Sequence, residues 1–172
     1  NNNNGATVSD EPTGVSTTPI TTTDGYIWKY MYTLSAAQQS NFLSTDFMAI
    51  ATNANAGTDH LNVISNAVDG AIDIIKIKSA GSGGTNGTFS NIPIRGDGTG
   101  GLCEVVVSGG AVSSVTVTTR GTGYTFGTVS NAQIVSAGST SLSGSELDVI
   151  IPPKGGHGAN ALEELGGFFV ML

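Results

Sequence analysis

The sequence predicts a mainly β protein: sandwich- or barrel-like domains, a glycine-rich repeated β insertion, and two or three short helices. Three observations predict it. Val, Ile and Thr are abundant, and β-branched side chains suit a pleated, half-buried surface. The 25 glycines supply the left-handed positions that many tight turns require. Apolar and polar residues alternate in short runs between turn clusters, the period of a strand with one face buried.

The chain has 172 residues, six basic and thirteen acidic, for a net charge of −7. An acidic surface repels phosphate backbones, which argues against a nucleic-acid partner. No apolar run is long enough to span a bilayer, so membrane insertion is not expected. The one cysteine, Cys103, has no partner for an internal disulfide, and its strand-like flanks read as those of a packed residue. The start at "NNNNGATVSD" without methionine and the apolar end at "GGFFVML" read as a piece of a longer protein.

Residues 1–24 keep no period and are expected to form an extended arm that needs a partner surface to become ordered. Residues 25–69 read as part of a main β domain. "GYIWKYMYTL" (25–34) is the clearest strand, with Tyr26, Trp28, Tyr30 and Tyr32 on one face. Ser35 with Gln38 three residues on is a capping box, opening a helix to about Leu43. "DFMAIAT" (46–52) reads as a second strand. "DHLNVISNAVDG" is ambiguous, with Leu61, Ile64 and Val68 on one possible helical stripe.

From Gly70 to Ile151 the sequence predicts a compact insertion domain. Residues 70–94 align without a gap to residues 110–134, with Gly81/Gly121, Gly83/Gly123 and Ser90-Asn91/Ser130-Asn131 among the identities. Each copy reads as long strand, glycine-rich connection and short strand, joined through a hairpin turning at Ser108-Gly109-Gly110. A last strand is expected over Glu146–Ile151. Residues 152–172 then read as a hinge, a short helix and a return strand to the main domain. Pro152 and Pro153 end the insertion, and Gly155, Gly156 and His157 turn the chain. Asn160 caps a helix over Ala161–Leu165, Gly166 takes the left-handed position after it, and Phe168 and Phe169 begin the return strand.

Few residues offer chemistry. His157, between glycines and ahead of a helix, could act as a base or anion ligand, but its lysine precedes the glycines and no P-loop spacing results. With no predictable orienting partner, a turn role with the imidazole bonded to a carbonyl is the plainer reading. "RGD" at Arg95–Asp97 reads as a β-turn rather than a calcium loop or an adhesion motif. "NGT" at Asn86 has the form of a glycosylation acceptor and no secretory signal to give it meaning. Tyr26, Trp28, Tyr30 and Tyr32, with Phe168 and Phe169, are the candidate packing or interface residues. A core stripe, a protein interface and a sugar platform all fit them. Nothing implies a cofactor, a metal or a catalytic group.

Three stretches in order, "DGYIWKYMYTLSAAQQSNFLSTDFMAI", "GDGTGG…VSGGAVSSVTVTTRGTGYTFG" and "IIPPKGGHGANALEELGG", resemble one family. It is the baseplate wedge proteins, gene product eight type, of T-even-like contractile-tailed bacteriophages, in the marine cyanophage form. The second glycine before His157 is a small departure in the loop. The resemblance implies a non-enzymatic structural protein in the tail baseplate of the virion, assembled in the host cytoplasm. Its partners would be other wedge proteins and a second copy of itself. A carbohydrate-binding or adhesin module of a tail fibre is the rival from another class.

Overall fold

Strand pairs joined by tight turns account for most of the regular structure in the computed structural model, which describes residues 7–167. The chain is mainly β, with few and short helices. It divides into two units: Asp69–Lys154, and the residues up to and including Val68 taken together with those from Gly155 onward.

In the latter unit β1 (Ile20–Thr21) and β2 (Ile27–Trp28) form a short antiparallel pair, Ile20 opposite Trp28. Part of the stretch expected as a loose arm is tied down by the chain itself. Asp24 Oδ2 accepts the amides of Ser9 and Asp10 at 2.9 and 3.1 Å, and Asp10 Oδ2 accepts the amide and hydroxyl of Thr23 at 2.9 and 2.8 Å. Two carboxylates thus replace a sheet ladder as the support for this turn, Asp24 by accepting several main-chain amides and Asp10 by accepting both the amide and the hydroxyl of Thr23.

The ten-residue strand expected over 25–34 is not formed; pairing covers only Ile27–Trp28. Alternation marks residues able to line a sheet face, but a strand also needs a neighbour, and β1 supplies one for two residues only. The capping box at Ser35 is formed, and α1 (Ala36–Phe42) follows it, although none of its residues is buried. Residues 46–52, expected as a strand, pair with no described residue. A 3-10 turn (Asn53–Asn55) leads to α2 (Thr58–Ser65), which settles the ambiguous stretch as helix. Its buried face is His60 and Val63, not the Leu61 stripe; Leu61 is exposed.

The Asp69–Lys154 unit contains β3 (Ile74–Ser82), β4 (Gly87–Pro93), β5 (Arg95–Gly96), β6 (Leu102–Ser108), β7 (Ala111–Thr119), β8 (Gly127–Thr128), α3 (Asn131–Ala137) and β9 (Ser143–Ile150). Strands β4, β6 and β7 form one antiparallel sheet with β6 central, β3 pairs with β9, and β5 with β8. The amide of Ile72 donates to Arg120 O at 2.9 Å just before β3, so β3 runs beside β7. Between these sheets lies one core, in which Cys103, Val105 and Val107 alternate inward along β6 against Ile72, Ile92 and Ile134.

The repeat is visible in the backbone. Gly81 and Gly121 have φ of 68° and 64°, Gly83 and Gly123 of 76° and 73°, so both copies turn through the same left-handed positions that side chains resist. The copies then part at an identical Ser-Asn pair. Ser130 Oγ accepts from the amide of Gln133, whose Oε1 accepts from the Ser130 amide, and α3 begins. At the matching place the first copy has Pro93, with neither an amide hydrogen nor a side-chain amide. No capping box can close there, and β4 continues past a bulge with Asn91 at φ 59°. The short strand expected to run to Ile134 in the second copy is therefore a helix.

A partly buried ion pair closes the ends of β3 and β7. Arg120 Nη2 donates to Asp73 Oδ2 at 2.8 Å, and Nε lies 2.5 Å from Oδ1, too bent to count as a hydrogen bond. The Asp73 side chain is only 5 % exposed. Arg120→Ala strands that carboxylate and should lower the unit's unfolding free energy by about 3 kcal/mol, with Arg120→Lys losing less. Urea unfolding read by circular dichroism checks this, and an unchanged midpoint in Arg120→Ala would contradict it.

Candidate functional site

The aromatic residues fall into separate environments. Tyr26 is buried and stacks on Trp28, ring centroids 5.8 Å apart at 28°. Trp28 Nε1 donates to Thr22 Oγ1 at 3.2 Å. Beyond β2 the single expected face breaks up. Tyr30 Oη shares a 2.7 Å hydrogen bond with Thr33 Oγ1, while Tyr32 Oη donates to Ala49 O at 2.8 Å. Burial pushes the Tyr32 phenol above its ordinary pKa. Trp28, Tyr30, Tyr32, Met48 and Leu165 line a shallow, open apolar groove. Phe168 and Phe169, expected to join this set, lie outside the described residues.

The return loop holds the one paired histidine. β9 ends at Ile150, before Pro152 and Pro153, which cannot donate to a ladder. Gly156 passes the main chain of Val68 so closely that a Cβ would lie 2.3 Å from its carbonyl oxygen. Asn160 Oδ1 accepts the Glu163 amide at 3.4 Å and caps α4 (Ala161–Glu164), and Gly166 follows at φ 68°.

His157 does not bond a carbonyl. Its Nδ1 lies 2.5 Å from Glu164 Oε1, and Glu164 Oε2 accepts the Gly158 amide at 2.8 Å. The orienting partner missing from the sequence reading is therefore Glu164. The signal was a carboxylate seven residues on, brought back by the loop and the single turn of α4. Burial pushes the Glu164 carboxyl up. The His157 and Gly158 hydrogen bonds and the charges of His157 and Lys29 outweigh that, leaving it below the usual carboxylate range. A carboxylate–imidazole pair could orient a base, but no described serine, threonine or cysteine hydroxyl or thiol is hydrogen-bonded to His157. Its observed task is to hold the glycine loop against α4.

His60, which sequence reasoning passed over, is 3 % exposed, and neither ring nitrogen has a hydrogen-bond partner. It faces Tyr32 across 5.7 Å. Its only signal was position on α2, where a helical stripe based on leucine pointed elsewhere.

In the other unit, Asp97 of the "RGD" turn is engaged on both oxygens. Oδ1 accepts the amides of Thr125 and Phe126 at 2.9 and 3.2 Å, and Oδ2 the Thr125 hydroxyl at 2.5 Å. The Thr125 hydroxyl, then its amide, lower the Asp97 pKa to about 2. This carboxylate is a turn clamp and is not free to ligate a cation held by a receptor. Asn86 Oδ1 accepts the Gly110 amide at 2.9 Å, tying the β3–β4 connection to the β6–β7 turn. Tyr124 is buried, its hydroxyl donating to Ile94 O at 2.9 Å and accepting the Gly101 amide at 3.1 Å. A Cβ at Gly98 would lie 2.4 Å from its ring, so that glycine is required by close approach. Burial raises the Cys103 thiol to about 11, so it stays protonated and packed. Among the described residues no group of three or more His, Cys, Asp or Glu is arranged to hold a metal.

What the fold and these sites define is a mainly β chain whose polar groups brace turns and whose exposed large apolar side chains, Phe126 apart, lie in one unit among the described residues. No helix among the described residues is long and apolar enough to cross a membrane. No known family profile, curated protein or solved structure matches the chain.

Two titrations follow. Glu164 sits below its ordinary value when folded, so its contribution is present above the usual pKa of about 4.3 and is lost as pH falls through the lower folded value. Glu164→Gln should therefore lower the melting temperature at pH 7, with the deficit shrinking below about pH 4; melts of both proteins across that range decide it. The Asp97 carboxyl should titrate near 2, read by carboxyl carbon NMR, whereas a midpoint at the ordinary aspartate value would mean the Thr125 clamp is open in solution.

Proposed function

We propose that the chain is a structural, non-enzymatic subunit of a contractile phage tail, a baseplate wedge protein of the gene product eight type, acting in baseplate assembly and in transmitting contraction. The sequence resemblance is what suggests the family. The observation that carries the assembly role is the distribution of apolar surface. Of the exposed large apolar residues, all but Phe126 lie outside Asp69–Lys154: Phe42, Leu43, Phe47, Met48 and Leu165 among them. From Gly25 to Gly57 the only charged residues are Lys29 and Asp46. Apolar patches depleted of charge are the composition of protein contact surfaces.

On this reading Asp69–Lys154 is a sandwich- or barrel-like insertion domain, and the rest belongs to the main domain that meets neighbouring wedge proteins and a second copy of the chain. The particle would be assembled in the host cytoplasm and carry the protein in its tail baseplate. The tail-fibre adhesin reading is less well supported. It needs exposed aromatics on the repeat, and of its three, Tyr124 is buried and Phe89 packs against the core, leaving Phe126, 57 % exposed, alone.

An electron-microscopy map of the whole particle tests the proposal. The expected position is a six-fold ring around the tail hub, and density at a peripheral fibre tip would overturn it. A glycan array should show no binding.

A further inference from the structure

The connection between β3 and β4 carries the one Asn-Gly step among the described residues, Asn86–Gly87. Both residues are exposed. Asn86 lies outside the ladder, and Gly87 is the first residue of β4, opposite Val107. The Asn86 carboxamide is held by its oxygen. Oδ1 accepts the Gly110 amide at 2.9 Å, and no described residue bonds Nδ2. The Gly110 carbonyl in turn accepts the Gly84 amide at 2.9 Å. The β6–β7 turn and the β3–β4 connection therefore grip each other through both main-chain groups of Gly110.

An asparagine carboxamide is an electrophile, and the main-chain nitrogen of the next residue can close a five-membered ring on it. Glycine at that place has no Cβ to obstruct the closure. A main-chain N–H aimed at the oxygen where negative charge develops stabilises a tetrahedral intermediate, and the Gly110 amide already donates to that oxygen. We propose that Asn86–Gly87 is a self-modification site, at which Asn86 converts to aspartate and isoaspartate with water as the co-reactant. Hydroxide takes the Gly87 amide proton, and the nitrogen adds to Asn86 Cγ. The electron pair passes to Oδ1, under the Gly110 amide, and returns as Nδ2 leaves with a proton from water, departing as ammonia. The product is a succinimide, which a second water opens at either carbonyl. Breaking the bond from Cγ to nitrogen gives aspartate. Breaking the bond from the Asn86 carbonyl carbon to nitrogen gives isoaspartate, whose main chain runs through Cγ with one extra carbon. Nothing is oxidised or reduced; in sum water enters and ammonia departs. Either product adds a negative charge to the connection, and isoaspartate also lengthens it just before β4. The internal repeat carries its own comparison: the residue matching Asn86 is Phe126, ahead of Gly127, so the second copy has no such chemistry.

The intact chain and a synthetic peptide of Thr85–Phe89 with blocked ends, kept side by side in mildly alkaline buffer, test this by mass-spectrometric peptide mapping. The peptide has the same Asn-Gly step without the Gly110 donor. In the folded chain Asn86 should gain the mass difference of hydroxyl for amide, as both products, about fivefold faster than in the peptide, the rate equivalent of one hydrogen bond. Asn86→Gln, which would need a six-membered ring, should lose the conversion, and the segment around Gly127 should keep its mass. Conversion in the folded chain no faster than in the peptide overturns the proposal, because Gly110 would then not be activating the carboxamide toward Gly87. A mass gain that survives in Asn86→Gln overturns it as well, since the reacting group would lie elsewhere. The comparison with the peptide uses the wild-type chain alone and stands whether or not the variant folds.

Discussion

Burial of Cys103, Val105 and Val107 along one face of β6 is the constraint on which the best-formed part of the molecule depends. β6 is hydrogen-bonded on both edges, to β4 and β7, and these three side chains meet Ile72, Ile92 and Ile134 from the surrounding elements. Each fully buried valine contributes about 1.5–3 kcal/mol, and their period of two permits only one register. A one-residue slip would send all three to the solvent face. The bulges between Phe89 and Ile92 and between Val106 and Val107 bend the partner strands around this face without changing which residues enter it.

Charge is scarce in this chain, and acidic residues carry much of the bracing. Asp24 and Asp10 knot the segment before β2, Asp97 clamps the Thr125 turn, Asp73 joins the ends of β3 and β7, and Glu164 holds the return loop. A carboxylate accepts several donors at once, so it can fix a turn where no ladder reaches. Glycine-rich connections have little side-chain packing of their own, and these clamps are what define their shape.

The two units use their apolar residues differently. In Asp69–Lys154 Phe126 is the one exposed large apolar side chain among the described residues, and the exposed positions of β7 are Ser and Thr. In the other unit a capped helix, α1, buries none of its residues, and Phe42 to Met48 stand largely in solvent. A capping box stabilises a helix end by about 1 kcal/mol, which does not make a seven-residue helix stable by itself. Such a helix takes most of its stability from the surface that covers it, which is the physical argument behind the proposed assembly role.

Local chemistry could be read directly from the sequence. The capping boxes at Ser35 and Ser130 have their partners three residues away, the β6–β7 hairpin closes over two glycines, and Gly81/Gly121 and Gly83/Gly123 need only their own backbone preference. Those features depend on neighbours in the chain, and the sequence determined them together with the mainly β class. Tertiary structure decided what depends on distant partners. Tyr26 to Leu34 alternates as a strand should, yet pairs over two residues because β1 is short. His157 found Glu164 only after the glycines had turned the chain, and α2 presented His60 and Val63 because packing, not the leucine stripe, chose its inner face. Periodicity states which side chains can share a face; which surface meets that face is a matter of three-dimensional neighbours, and no local pattern encodes it.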